Sequence, residues 1–138
     1  MDYSQAFAIS ASGMTLERTR VEVASLNLAN ANTVAGPDGK TYQPLRVVAR
    51  PSFGDTVAQG LAAVPAAAVE PVLQGPRMVY EPGHPMADAR GFVAYAGVDA
   101  ATEMVTMMGA MRAYEANVAA MNTSRNMALK ALEIGGNA

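Results

Sequence analysis

Apolar residues recur at intervals of three and four along both ends of the chain and lose that rhythm in between. From Thr102 to Leu132 they fall at Met104, Met107, Met111, Tyr114, Val118, Met121, Ala128 and Leu132. That spacing, sustained over about four heptads, predicts a long helix with a coiled-coil or bundle seam. The helix is expected to run unbroken over residues 98–138, a stretch without proline. Asp99 stands where an N-cap belongs, with Glu103 in the first turn, where its charge suits the helix dipole. Such a helix is roughly 50 Å long at about 1.5 Å per residue. A compact globule of this chain length is only about 35–40 Å across. The helix must therefore fold back on itself or be buried by something else.

The other end carries a second helical pattern, from Ser4 to Asn30. Phe7, Met14, Val21 and Leu28 recur every seven residues along one line of that helix. Ile9, Leu16 and Val23 form a second line, displaced by about 200° at 100° per residue. A surface helix on a globular core needs one apolar stripe; two predict burial from two sides, more than this chain can supply alone. The run Asn30-Ala31-Asn32-Thr33 is expected to end the helix, because Asn competes for backbone hydrogen bonds and tolerates the left-handed conformation. Asn27 lies a turn inside, where a buried amide is expected to fix register as a lone polar residue does in coiled coils. Arg125 is placed opposite it, as a polar residue on the otherwise apolar seam of the C-terminal helix.

All eight prolines lie between Pro37 and Pro85. The chain thus divides into an N-terminal helix at 1–32, a proline-rich β and loop segment at 33–97, and a C-terminal helix at 98–138. Strands are expected at 45–50, 69–73, 77–81 and 92–96, which are rich in branched or aromatic residues. Gly36-Pro37-Asp38-Gly39 and Glu81-Pro82-Gly83 are turn signals. Residues 58–68, small, apolar and of low complexity, are expected to form a mobile or partner-covered loop. The fold class is α+β: long N- and C-terminal helices paired as a coiled coil, with a small β-hairpin or β-rich irregular middle.

Composition removes several functions. A net charge of −2 recommends neither nucleic acid nor an anionic membrane as partner. The absence of cysteine excludes disulfides and thiolate metal sites. Six of the ten methionines lie between Met104 and Met127, an adaptable surface suited to non-identical neighbours. No apolar run reaches the ~20 residues of a membrane span. The opening Met-Asp-Tyr-Ser-Gln has neither a positive nor an apolar signal region, so no cleavable secretion signal is expected. Lys40 after Gly36-Pro37-Asp38-Gly39 lacks the spacing of a phosphate-binding loop. His84, the single histidine, has no carboxylate and nucleophile arranged beside it in the sequence. No catalytic residue, metal site, cofactor or small-molecule substrate is expected.

Two blocks carry a family resemblance. Ala24-Ser25-Leu26-Asn27-Leu28-Ala29-Asn30-Ala31-Asn32-Thr33 resembles the signature of bacterial flagellar rod and hook proteins, with Asn27, Leu28, Ala29, Asn30 and Thr33 matching. Tyr80-Glu81-Pro82-Gly83-His84-Pro85-Met86-Ala87-Asp88-Ala89-Arg90-Gly91-Phe92-Val93 resembles the segment that marks the proximal-rod member of that family. It continues through Val98-Asp99 and Arg112-Ala113-Tyr114-Glu115-Ala116-Asn117. The resemblance implies a structural subunit of the flagellar basal-body rod, assembled helically with copies of itself and other rod proteins through its terminal helices. It also implies contact with membrane-ring proteins, export through the type III apparatus, and torque transmission from ring to hook. The expected assembly surface comprises Phe7, Ile9, Met14, Leu16, Val21, Val23, Asn27, Leu28 and Asn30. From the second helix it takes Met104, Met107, Met111, Tyr114, Val118, Met121, Arg125 and Leu132. Two rivals remain: a soluble coiled-coil adaptor or export chaperone of a type III system, and a small hydrolase using His84 with Asp88 or Glu81.

Overall fold

The structure is a computed structural model and describes residues 3–51 and 65–136. Two helices frame it, α1 at Tyr3–Ala29 and α2 at Ala100–Gly136. Between them come four strands: β1 at Leu45–Pro51, β2 at Pro65–Pro71, β3 at Arg77–Tyr80 and β4 at Phe92–Tyr95. The class is α+β, with the two long helices packed on each other and small two-stranded sheets in the middle. Residues 3–19, 48–51, 65–68 and 109–136 cluster as one compact unit, and residues 20–47 and 69–108 as another.

Each helix ends for a local reason. At the end of α1 the Asn30 amide N–H donates to both Leu26 O and Asn27 O, and Ala31 N to Leu28 O, tightening the last turn. The Asn30 side chain also donates to Leu26 O at 2.9 Å, so the asparagine both closes the helix and caps its carbonyls. α2 begins two residues later than residue 98. Asp99 Oδ1 accepts from Ala101 N, and Oδ2 accepts from the Thr102 hydroxyl at 2.8 Å. These bonds, the Thr102 hydroxyl first, hold the Asp99 carboxyl below its ordinary range. Val98, just before the cap, is buried with Ala31 and Ala96, and Tyr42 packs against that cluster.

In the second unit β3 and β4 pair antiparallel, with Arg77 opposite Tyr95, Met78 opposite Ala94, Val79 opposite Val93 and Tyr80 opposite Phe92. Two of these cross-strand pairs are specific. Tyr80 and Phe92 meet edge to face with ring centroids 5.3 Å apart, and the Arg77 guanidinium lies 5.1 Å from the centre of the Tyr95 ring. The segment after α1 adds to the free edge of β4: Ala35 N donates to Ala94 O and Ala96 N to Thr33 O. Val93, at the centre of this arrangement, is fully buried.

The other sheet joins β1 to β2. Here the expected loop at 58–68 needs correcting in part. Residues 58–64 lie outside the described residues, but residues 65–68 belong to β2. Pro65-Ala66-Ala67-Ala68 has little intrinsic strand preference; pairing with β1 overrides it, as tertiary context commonly does for strands. Between β1 and β2, Arg46 and Glu70 form a partly exposed ion pair at 3.6 Å.

Candidate assembly surface

Among the described residues, the most deeply buried polar side chain is Asn27 on α1, in the second unit. Its Nδ2 donates to Leu45 O at 2.8 Å, and its Oδ1 accepts from Leu45 N at 2.9 Å. The amide thus pairs with the backbone of Leu45 as a neighbouring strand residue would, and fixes where β1 starts. Oδ1 also accepts from the Tyr42 hydroxyl at 2.8 Å. Burial, followed by the charge of Glu103, raises the Tyr42 pKa, so the hydroxyl keeps the proton it donates. The sequence placed Asn27 as a register device between helices, opposite Arg125; it sets instead the register of strand against helix. The reason is the irregular link after α1, which returns Tyr42 and Leu45 to the helix's last turns.

The covered face of each helix is lined by small and polar residues. On α1 the buried positions include Ser10, Glu17 and Ala24, a repeat of seven that Ala31 continues just past the helix end. At 100° per residue this line runs in the narrower arc between the Phe7 and Ile9 lines, so the two apolar stripes flank the buried one. On α2 the less exposed positions are Glu103, Met107, Ala110, Ala113, Asn117, Met121, Ser124 and Ala128. In the first unit the helices approach so closely at Gly13 that a Cβ there would lie 2.8 Å from Asn117 Oδ1. In the second, the Ser25 hydroxyl lies 3.5 Å from Met107 Sδ.

Large apolar side chains are left outside. On α2, Met104, Met111 and Leu132 are 52%, 51% and 71% exposed, and Tyr114, Val118 and Arg125 are also exposed. Met107 and Met121 are half-buried against the rest of the chain. On α1, Leu16 is buried and Ile9 exposed, while Phe7, Met14, Val21, Val23 and Leu28 are half-buried, as is Asn30 just past the helix end. Met108 and Leu129, which the sequence did not single out, extend the exposed row of α2. Sequence reasoning named part of the covered face, in Leu16, Asn27, Met107 and Met121, and missed the small residues that line the rest of it. Their signal was present as a heptad of small residues, Ala110, Asn117 and Ser124, one position before Met111, Val118 and Arg125. Apolar side chains drew attention to the neighbouring line. The second unit adds an open groove of about 860 Å³, lined in part by Leu28, Ala31, Gly97, Val98 and Met104.

The groups considered for catalysis are each held in the loop between β3 and β4. His84 Nδ1 accepts from Met86 N at 3.1 Å, and Glu81 Oε2 accepts from the Tyr95 hydroxyl at 3.0 Å. Asp88 Oδ1 accepts from Phe92 N and Arg90 N, and the Phe92 bond is the main cause of its lowered pKa. Gly91, at φ 82°, turns the chain back into β4. The loop is a self-capped turn. Among the described residues no group of three or more His, Cys, Asp or Glu side chains is placed to hold a metal, and no helix is long and apolar enough to cross a membrane.

Residues 7–37 match the family model described as flagella basal body rod protein. Residues 89–134 match the model described as flagellar basal body rod FlgEFG protein C-terminal. The chain is 44% identical to the flagellar basal-body rod protein FlgC of Escherichia coli O6:H1, covering 94% of this chain and 95% of that one. It is 42% identical to the FlgC protein of Salmonella typhimurium, with the same coverage. Its identity to the FlgC protein of Bacillus subtilis is 35%, over 92% of this chain and 94% of the relative.

Proposed function

Since the chain belongs to the FlgC family of flagellar basal-body rod proteins, we propose that it builds the proximal rod helically through the outer faces of α1 and α2. It is a structural rod subunit, and the family supports a scaffold over a catalyst. The observation that carries the helical reading is the exposed apolar row of α2. A monomer seldom leaves so many large apolar side chains uncovered, and a row at coiled-coil spacing asks for another helix. Burying one Met or Leu fully is worth roughly 1.5–3 kcal/mol, so several together can drive assembly. Contacts that repeat head to tail without closing generate a filament. The partners are other rod proteins and copies of this chain, with membrane-ring proteins at its base. The subunit travels through the type III export apparatus to the periplasmic part of the basal body and passes torque toward the hook.

The test is Met111→Asp, which puts a charge on the exposed row without touching the buried face. A strain lacking its own gene should swim when given the unaltered chain. With the Met111→Asp chain it should be non-motile, with the variant still made but missing from isolated basal bodies, because a carboxylate cannot be buried unpaired. Normal swimming with Met111→Asp would remove α2 from the assembly surface.

A further inference from the structure

Both helices carry an outward series in steps of four and three, the spacing of a coiled-coil seam. On α2 it runs from Met104 through Met108, Met111, Glu115 and Val118 to Leu129, and on α1 from Ser4 to Ala29. Each series has eight members, and every one is exposed. They differ in bulk. Five of the eight on α2 are Met, Val or Leu, whereas those on α1 are Ser, Ala or Thr except for Arg18 and Glu22. Laid antiparallel with Val118 on Thr15, the two step patterns coincide along their whole length. Met104 and Met108 then fall on Ala29 and Ser25, Leu129 falls on Ser4, and Glu115 meets Arg18. Glu22 falls at the level of Met111 and Arg112. Large side chains thus meet small ones, and the one position where charge faces charge has opposite signs. Sliding one helix by a heptad sets Glu115 against Ala11 or Ser25 and leaves members at an end with nothing opposite.

Symmetry selects the same pairing. Copies related by a screw along the rod keep one direction along it, so α2 meets a neighbour's α2 parallel. Within one subunit the helices run oppositely: in the second unit Ser25 meets Met107, while Ala31 beyond α1 packs with Val98 before α2. An α2 therefore meets a neighbour's α1 antiparallel. Such a contact uses a different face on each copy and leaves one of each for the next, as a filament requires. In-register α2 on α2 would instead stack Glu115 on Glu115 and Arg125 on Arg125, and both layers repel.

We propose that in the assembled rod the outward row of α2 docks antiparallel on the outward face of a neighbouring copy's α1, with Glu115 on Arg18 and Val118 on Thr15. The contact forms on incorporation and asks for no helix in the free chain. It gives the assembly face of α2 its partner, and rests on that face being rod-facing.

Two measurements on complemented strains test it. Arg18→Glu or Glu115→Arg alone should cut swimming and lower the chain in isolated basal bodies about tenfold or more, and the two together should recover both. Because the chain lacks cysteine, introduced thiols report the register. In basal bodies containing Thr15→Cys/Val118→Cys, oxidation should link the chain to further copies of itself. Both positions face outward, so the bond does not close within a subunit. Ala8→Cys/Val118→Cys should not link, being about 10 Å out of register, beyond a disulfide's reach of roughly 7 Å between Cα atoms. Single reversals without effect, or a double variant as weak as the worse single, would overturn the proposal. So would an unlinked Thr15→Cys/Val118→Cys chain in basal bodies, Val118→Cys alone linking to itself, or products with another protein's mass. The Met111→Asp strain separates the two readings. If it swims, the rod-facing role of α2 falls; if it is paralysed and the charge swap recovers nothing, that role stands and this pairing falls.

Discussion

Asn27 makes three hydrogen bonds through one side-chain amide and is wholly buried. Asn27→Ala would leave the N–H and C=O of Leu45 and the Tyr42 hydroxyl without these partners. Each orphaned buried group costs about 1–3 kcal/mol, so a loss of roughly 2–4 kcal/mol after relaxation is expected. Asn27→Asp should cost at least as much at neutral pH: an oxygen replaces the donor facing Leu45 O, and the charge is buried. Denaturant titration of both variants decides this, and midpoints within experimental error of the parent would refute the bond network. The importance of Asn27 was legible in the sequence as a polar residue inside an apolar helix. Its partners were not, since nothing local says which of the following residues returns to it.

At the scale of elements, the helix pair depends on what is absent from its interface. Gly13 stands against the amide of Asn117, which is itself anchored by donating to Ala113 O at 3.0 Å. Gly13→Val puts a branched side chain into that contact. It should cost about 1–3 kcal/mol through overpacking, partly offset by the better helix propensity of a residue with a Cβ. Gly13→Ala should fall between the two. Thermal unfolding of both variants measures the series, and a Gly13→Val chain more stable than the parent would show that the helices do not meet there. The element boundaries followed closely from local chemistry, with the Asp99 cap and the Asn30 turn setting helix ends by the hydrogen bonds expected of them. β2 did not, because an alanine run acquires strand geometry only from its neighbour.

For the whole molecule, cover is unequal along α2. Residues 129–136 are all exposed, whereas α2 positions nearer its start alternate with half-buried ones. A helix end with neither tertiary cover nor a basic residue in its last turn has little to hold it but its own hydrogen bonds. Hydrogen exchange of the chain, diluted until monomeric, should therefore show residues 129–136 as the least protected part of α2. Amides around Asn27 should be among the slowest, and the terminal ones should slow on incorporation into the rod. Terminal amides as slow as those of Asn27 in the monomer would contradict this picture.

Apolar periodicity, proline placement and capping residues determined by themselves that the chain is two long helices around a small β-rich middle. These are short-range preferences, written within a few residues of where they act. The same periodicity showed more helix surface than the chain could cover, and so pointed to assembly. Only the tertiary structure decided which surface stays uncovered. Small residues such as Gly13 and Ala110 let the two helices of one subunit come close, and that choice turns Met111, Val118 and Leu132 outward. Hydropathy marks both lines as helical but cannot rank them, since the cost of separating two helices depends on the partner's shape as well as on each residue's own affinity for water.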